Sequence, residues 1–178
     1  MIKRTLRTLA AVAIAAAATL TAAGTAEARD TPSGNFCYQA HIQNVGWQDW
    51  RCDGEWAGTT GRALAVEAVR YHFNVGNNPA RLCFRAHRSN YGWDANYVCL
   101  DSAHSTIQIG TEGMNTPIEA IRYFEDGWSP VSSFHADAHV RNIGWQGGPT
   151  YIGGNFGTEQ IGTTGQALPI EALWFQWY

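Results

Sequence analysis

Tyr38-Gln39-Ala40-His41-Ile42-Gln43-Asn44-Val45-Gly46-Trp47 occurs three times in this chain, altered in detail but kept in order. It returns as Phe84-Arg85-Ala86-His87-Arg88-Ser89-Asn90-Tyr91-Gly92-Trp93 and as Ala136-Asp137-Ala138-His139-Val140-Arg141-Asn142-Ile143-Gly144-Trp145. Each copy is followed by a Gly-Thr element: Gly58-Thr59-Thr60-Gly61, Gly110-Thr111-Glu112-Gly113 or Gly162-Thr163-Thr164-Gly165. An apolar segment holding one glutamate comes next, at Glu67, Glu119 or Glu171. The tryptophans are 46 and 52 residues apart and the glutamates 52 and 52, so the length change falls between Trp and Gly-Thr. Three repeats follow, at about 34–80, 81–131 and 132–178. A period of this length marks units that bury their apolar faces only against one another.

Within a copy the period is two. Tyr38, Ala40 and Ile42 form one face of a strand, and Cys37, Gln39, His41 and Gln43 the other. Glu67, Val69, Tyr71 and Phe73 alternate with Val66, Ala68, Arg70 and His72, which places each glutamate on an apolar face. A hairpin turns near Asn44-Val45, and Asn77-Asn78-Pro79 and Asp126-Gly127-Trp128-Ser129-Pro130 separate the copies. The fold class is all-β: one domain of three repeats with threefold pseudosymmetry, β-prism-like, with a β-trefoil as the alternative. Closing three such units on one another removes free sheet edges.

Ahead of the repeats stand Lys3, Arg4 and Arg7, an Ala-rich apolar run to Ala23, and Ala26-Glu27-Ala28. This is the pattern of a secretory signal peptide over residues 1–28, with a single domain over 29–178. Cleavage after Ala28 leaves 150 of the 178 residues, with nine basic groups, all arginine, against fourteen acidic ones. Such a balance disfavours nucleic acid and anionic membrane surfaces, and no second apolar run is long enough to insert in a membrane. The expected location is extracellular, with cell-wall association as a variant of it. An exported chain with four cysteines points to disulfides. Cys37–Cys52 with Cys83–Cys99 is the one pairing of three that respects the repeat, and the thiol spacing does not suit zinc.

These motifs, A-x-x-x-N-x-G-W, G-T-x-G and [VI]-E-A in fixed order, resemble the ChW repeats of exported bacterial proteins. The resemblance spans roughly residues 34–178 and is weakest in the second copy, at Arg88, Asp94 and Glu112. It implies export and a surface or adhesive role, with sugar binding as one form of it, and no catalytic chemistry.

Two readings stand beside each recurring residue. His41, His87 and His139 suit hydrogen bonding on a polar strand face; one per copy does not make a metal site. Glu67, Glu119 and Glu171 either accept amides of the preceding Gly-Thr loop or accept ligand hydroxyls. Trp47, Trp93 and Trp145 either staple neighbouring copies or offer a face to a sugar ring. Asn44, Asn90 and Asn142, with Thr59 and Thr163, complete the candidate ligand set. No nucleophile motif or asymmetric acid–base constellation is present in the sequence, so the expected protein is not an enzyme and needs no cofactor. It would bind a polysaccharide or glycoconjugate at three similar weak sites with little dependence on salt. The alternative is a surface-protein or inhibitor scaffold, binding through the variable loops 94–109 and 146–161.

Overall fold

The structure is a computed structural model that describes residues 31–74, 81–127, 133–146, 150–153 and 158–177. Residues 1–28, expected to be a signal peptide, lie outside the described residues, as do the turn at 77–79, residues 128–130 of the second turn and parts of the loop 146–161. Every regular element among those described is a strand. The first repeat gives β1 (Phe36–Ile42), β2 (Gly46–Trp47), β3 (Arg51–Cys52), β4 (Ala57–Gly58) and β5 (Val66–Phe73). The second gives β6 (Arg81–Arg88), β7 (Gly92–Trp93), β8 (Val98–Leu100), β9 (Thr106–Gly110) and β10 (Ile118–Asp126). The third gives β11 (Ser133–Val140), β12 (Gly144–Trp145), β13 (Thr150–Gly153), β14 (Glu159–Gly162) and β15 (Ile170–Trp177).

Three antiparallel five-stranded sheets result, and each borrows its edge strand from another repeat. β9 of the second repeat pairs with β5 of the first, β14 of the third with β10 of the second, and β4 of the first with β15 of the third. The exchange closes on itself. No repeat therefore completes its sheet alone, the physical reason three copies are needed.

Alternation supplies the inward faces. Phe36, Tyr38, Ala40 and Ile42 are fully buried, and one apolar cluster draws on all three sheets. Aromatic rings join the repeats there. Tyr71 stacks on Phe84 at 3.9 Å, Phe175 meets Tyr38 edge-on at 4.9 Å, and Tyr123 meets Phe134 at 5.6 Å. Such pairs add about 0.5–1.5 kcal/mol each beyond the area they bury.

The hairpins turn where the sequence places them. Asn44, Asn90 and Asn142 adopt left-handed φ values of 62°, 66° and 64°, and the next residue's N–H donates back across the turn, as from Val45 to Ile42 at 3.0 Å. Asparagine tolerates this conformation better than most side chains.

Cys37–Cys52 and Cys83–Cys99 are both bonded, each joining residues paired across a ladder. In the third repeat the corresponding backbone positions belong to His135 and Tyr151, within a ladder four residues long. Reducing both disulfides should lower stability by about 3 kcal/mol per bond, by releasing loops of 15 and 16 residues in the unfolded chain. Urea unfolding with and without reductant measures this, and the Cys83→Ala/Cys99→Ala variant should show about half the effect.

The glutamates require a correction. Alternation puts them on the apolar face, but each ladder slips at this point. Ile42 faces Val66 while His41 faces Ala68, so Glu67 is passed over; Glu119 and Glu171 are passed over in the same way. This β-bulge turns each carboxylate away from the core and toward the histidine on the outer face.

Candidate functional site

Each bulge assembles the same outer-face cluster. His41 Nδ1 lies 3.2 Å from Glu67 Oε2, His87 3.1 Å from Glu119, and His139 3.5 Å from Glu171. The Nδ1 atoms lack a well-directed hydrogen bond, so these are close polar contacts rather than aligned bonds. Each imidazole also meets its tryptophan edge-on: His41–Trp47 at 5.3 Å, His87–Trp93 at 5.1 Å, His139–Trp145 at 5.6 Å.

The Gly-Thr loop is held differently from the sequence expectation. Thr59, Thr111 and Thr163 donate their N–H groups to the backbone carbonyls of Glu171, Glu67 and Glu119, at 2.8, 3.0 and 2.9 Å. The acceptor is thus the main chain of another repeat, not the carboxylate of the same one. Within a copy, the residue after the Trp holds the loop. Gln48 accepts from Gly58 N–H at 2.6 Å and donates to its carbonyl at 3.1 Å; Gln146 does the same at Gly162. Asp94 stands at this position in the second repeat and instead pairs with Arg88, at 2.7 Å. The Thr59, Thr111 and Thr163 hydroxyls are buried and have no hydrogen-bond partner among the described residues.

Glu67→Ala should therefore leave the Thr111 bond intact and cost less than about 1 kcal/mol, through the His41 contact alone. Glu171→Ala should cost more. Arg141 donates to Glu171 Oε1 at 2.9 Å and would lose its carboxylate partner, keeping only the Ala63 carbonyl. Urea midpoints of the two variants check the order.

Asn44, Glu67 and His41 share a polar cavity of about 590 Å³ with Gly113 and Asn115 of the next repeat. Asn142, Glu171 and His139 line the equivalent one, about 450 Å³, with Gly61 and Ala63. Trp47 and Trp145 are not among the residues lining these cavities. The candidate set therefore splits, with Asn and Glu in one place and Trp in another.

The three tryptophans also differ from one another. Arg70 lies over Trp47 with Cζ 4.0 Å from the ring centre, held there by Gln108 at 2.9 Å and Glu112 at 3.1 Å. Arg122 covers Trp93 at 4.3 Å and bonds Gln160 at 3.1 Å. A guanidinium thus lies over each of these two rings in cation–π contact. In the third sheet the arginine position is Trp174, and extending the β15–β4 register by one residue brings it opposite Trp56, where the other sheets have glutamine. No described guanidinium lies over Trp145.

Trp56, Trp145 and Trp174 line one cleft of about 550 Å³ together with Thr60 and Asp137. Trp145 is 40% exposed and Trp56 49%, so both rings are open to solvent. Trp174 is fixed by its Nε1–H, which donates to Gly54 O at 2.6 Å. Asp137 Oδ1 accepts the N–H groups of Ala138 and Gln146, at 2.7 and 3.3 Å. Trp56, Trp174 and Asp137 were not in the candidate set. The signal that would have found them is a break in recurrence: Trp174 stands where Arg70 and Arg122 do, and Trp56 where Gln108 and Gln160 do. Among the described residues no group of three or more His, Cys, Asp or Glu could hold a metal.

An all-β chain built of repeats, with two disulfide-pinned hairpins and a tryptophan at the same step of each copy, defines a repeat-built all-β protein. Residues 41–71 and 139–176 match the ChW family, described as Clostridial hydrophobic W, and the chain carries ChW repeats. These segments fall in the first and third copies. The family is associated with exported bacterial surface proteins, and the two disulfides fit an extracellular protein. No curated protein and no solved structure matches the chain.

Proposed function

We propose that this protein is a secreted, non-catalytic module that binds a polysaccharide or glycoconjugate in the cleft of Trp56, Trp145 and Trp174. The observation that carries the reading is the convergence of three indoles with Asp137 and Thr60 in one open cleft. Indole faces stack on the C–H faces of pyranose rings, while a few fixed polar groups select hydroxyl orientation. One open cleft replaces three equal sites, because arginine covers the other two tryptophans. The same reading takes the architecture as a threefold pseudosymmetric β-prism rather than a trefoil, supported by the separate sheets, the cyclic strand exchange and the shared core.

A glycan array combined with pull-down on purified cell wall tests it. The expected result is retention of the wild type on at least one glycan class, without turnover. Trp145→Ala should weaken binding at least about tenfold, the scale of losing one buried aromatic anchor. Trp47→Ala and Trp93→Ala should leave binding unchanged. Retention insensitive to Trp145 would remove the cleft from the reading.

A further inference from the structure

We infer that the cleft continues into an anion subsite formed by Arg51 and Arg62, so that the ligand is an acidic glycan whose sugar ring stacks on tryptophan and whose oxyanion meets two guanidiniums. The inference rests on the carbohydrate reading above.

Eight arginines lie among the described residues, and six are occupied. Arg70, Arg81, Arg88 and Arg141 pair with carboxylates, Arg122 bonds Gln160, and Arg85 lies over Tyr97. Arg51 and Arg62 have no such partner among the described residues, and both line a single cavity of about 580 Å³. Trp56 and Thr60 belong to this cavity and to the aromatic cleft alike, so the two adjoin at these side chains.

Two carboxylates line these adjoining cavities, Glu55 and Asp137, and each already accepts at least one backbone N–H. Glu55 Oε2 takes the Cys52 N–H at 3.4 Å, and Asp137 Oδ1 those of Ala138 and Gln146. The guanidiniums are the groups left with donors to spare, and their planar fork suits the two oxygens of a carboxylate, sulfate or phosphate. This convergence departs from the expectation of little salt dependence, because residues 51 and 62 are brought together only by the fold.

Matched polymers test the subsite. Polygalacturonate and its methyl ester form one pair, dextran sulfate and dextran the other, so that carboxylate and sulfate are read separately. At low salt the wild type should bind at least one charged member about tenfold more tightly than its neutral partner. That preference runs against the acidic net charge of the chain, which alone would disfavour an anionic polymer. It should decline as NaCl is raised. Arg51→Gln/Arg62→Gln should abolish the preference without changing the thermal midpoint or the binding of a neutral polymer. Trp174→Ala should weaken charged and neutral polymers alike. Equal binding of both members of each pair, or a preference that survives in the double variant, would overturn the anion subsite and leave the carbohydrate reading standing. Loss of the preference in Trp174→Ala alone would place the anion elsewhere and also overturn it. Failure of the folded wild type to bind any glycan would remove both.

Discussion

Gly110→Ala should abolish cooperative folding or lower stability by more than about 4 kcal/mol, whereas Gly113→Ala, three residues away, should cost about 1 kcal/mol. Both glycines have positive φ, at 77° and 64°, so backbone strain is common to the two. What differs is the space. A Cβ at Gly110 would stand 2.3 Å from the Glu67 carbonyl oxygen and 2.9 Å from Ala68 Cα, while at Gly113 nothing lies within 4 Å. Backbone cannot yield as a flexible side chain does. The collision falls where β9 crosses onto the sheet of the first repeat, next to the Thr111 bond to Glu67. Gly58 and Gly162 meet Glu171 and Glu119 in the same way, at 2.4 and 2.3 Å. All three substitutions should therefore act alike, each opening one join of the ring. Urea unfolding followed by tryptophan fluorescence gives the values directly.

The second large effect concerns binding. Trp56→Gln/Trp174→Arg would rebuild in the third sheet the arginine–glutamine pair that covers Trp47 and Trp93. Glycan binding should fall by about 100-fold or more, because two aromatic anchors are lost and the third is covered. Stability should change little beyond the loss of the Trp174 bond to Gly54. Thermal melting and a polymer-binding assay on the same preparation separate the two effects. A double variant that stays folded and keeps its affinity would place the ligand outside the cleft.

The repeat, the strands and both disulfides could be read from the sequence because each depends on local pattern. Tyr38, Ala40 and Ile42 alternate with polar neighbours, and the cysteines flank their turn at nearly equal spacing. The edge strands could not be assigned this way. β4 is two residues long, and its partner Ala172 lies more than 100 residues away. Counting by two also failed through the bulge, since one unpaired residue moves Glu67 to the other face. The cleft escaped for a different reason. Recurrence marks what the scaffold requires in every copy, such as the glycine at 58, 110 and 162. Trp56 and Trp174 matter in this account because they break that recurrence, and only the exchange of β4 onto the third sheet brings them together.

Indole N–H resonances report most directly on the central claim, that one cleft rather than three equivalent sites takes the ligand. The sequence holds eight tryptophans, each with one such signal in a proton–nitrogen correlation spectrum. Titration with an oligosaccharide from the glycan class that the protein retains should shift Trp56, Trp145 and Trp174 together, with a single affinity, and leave Trp47 and Trp93 in place. Parallel shifts of Trp47, Trp93 and Trp145, with Trp56 and Trp174 unmoved, would contradict it.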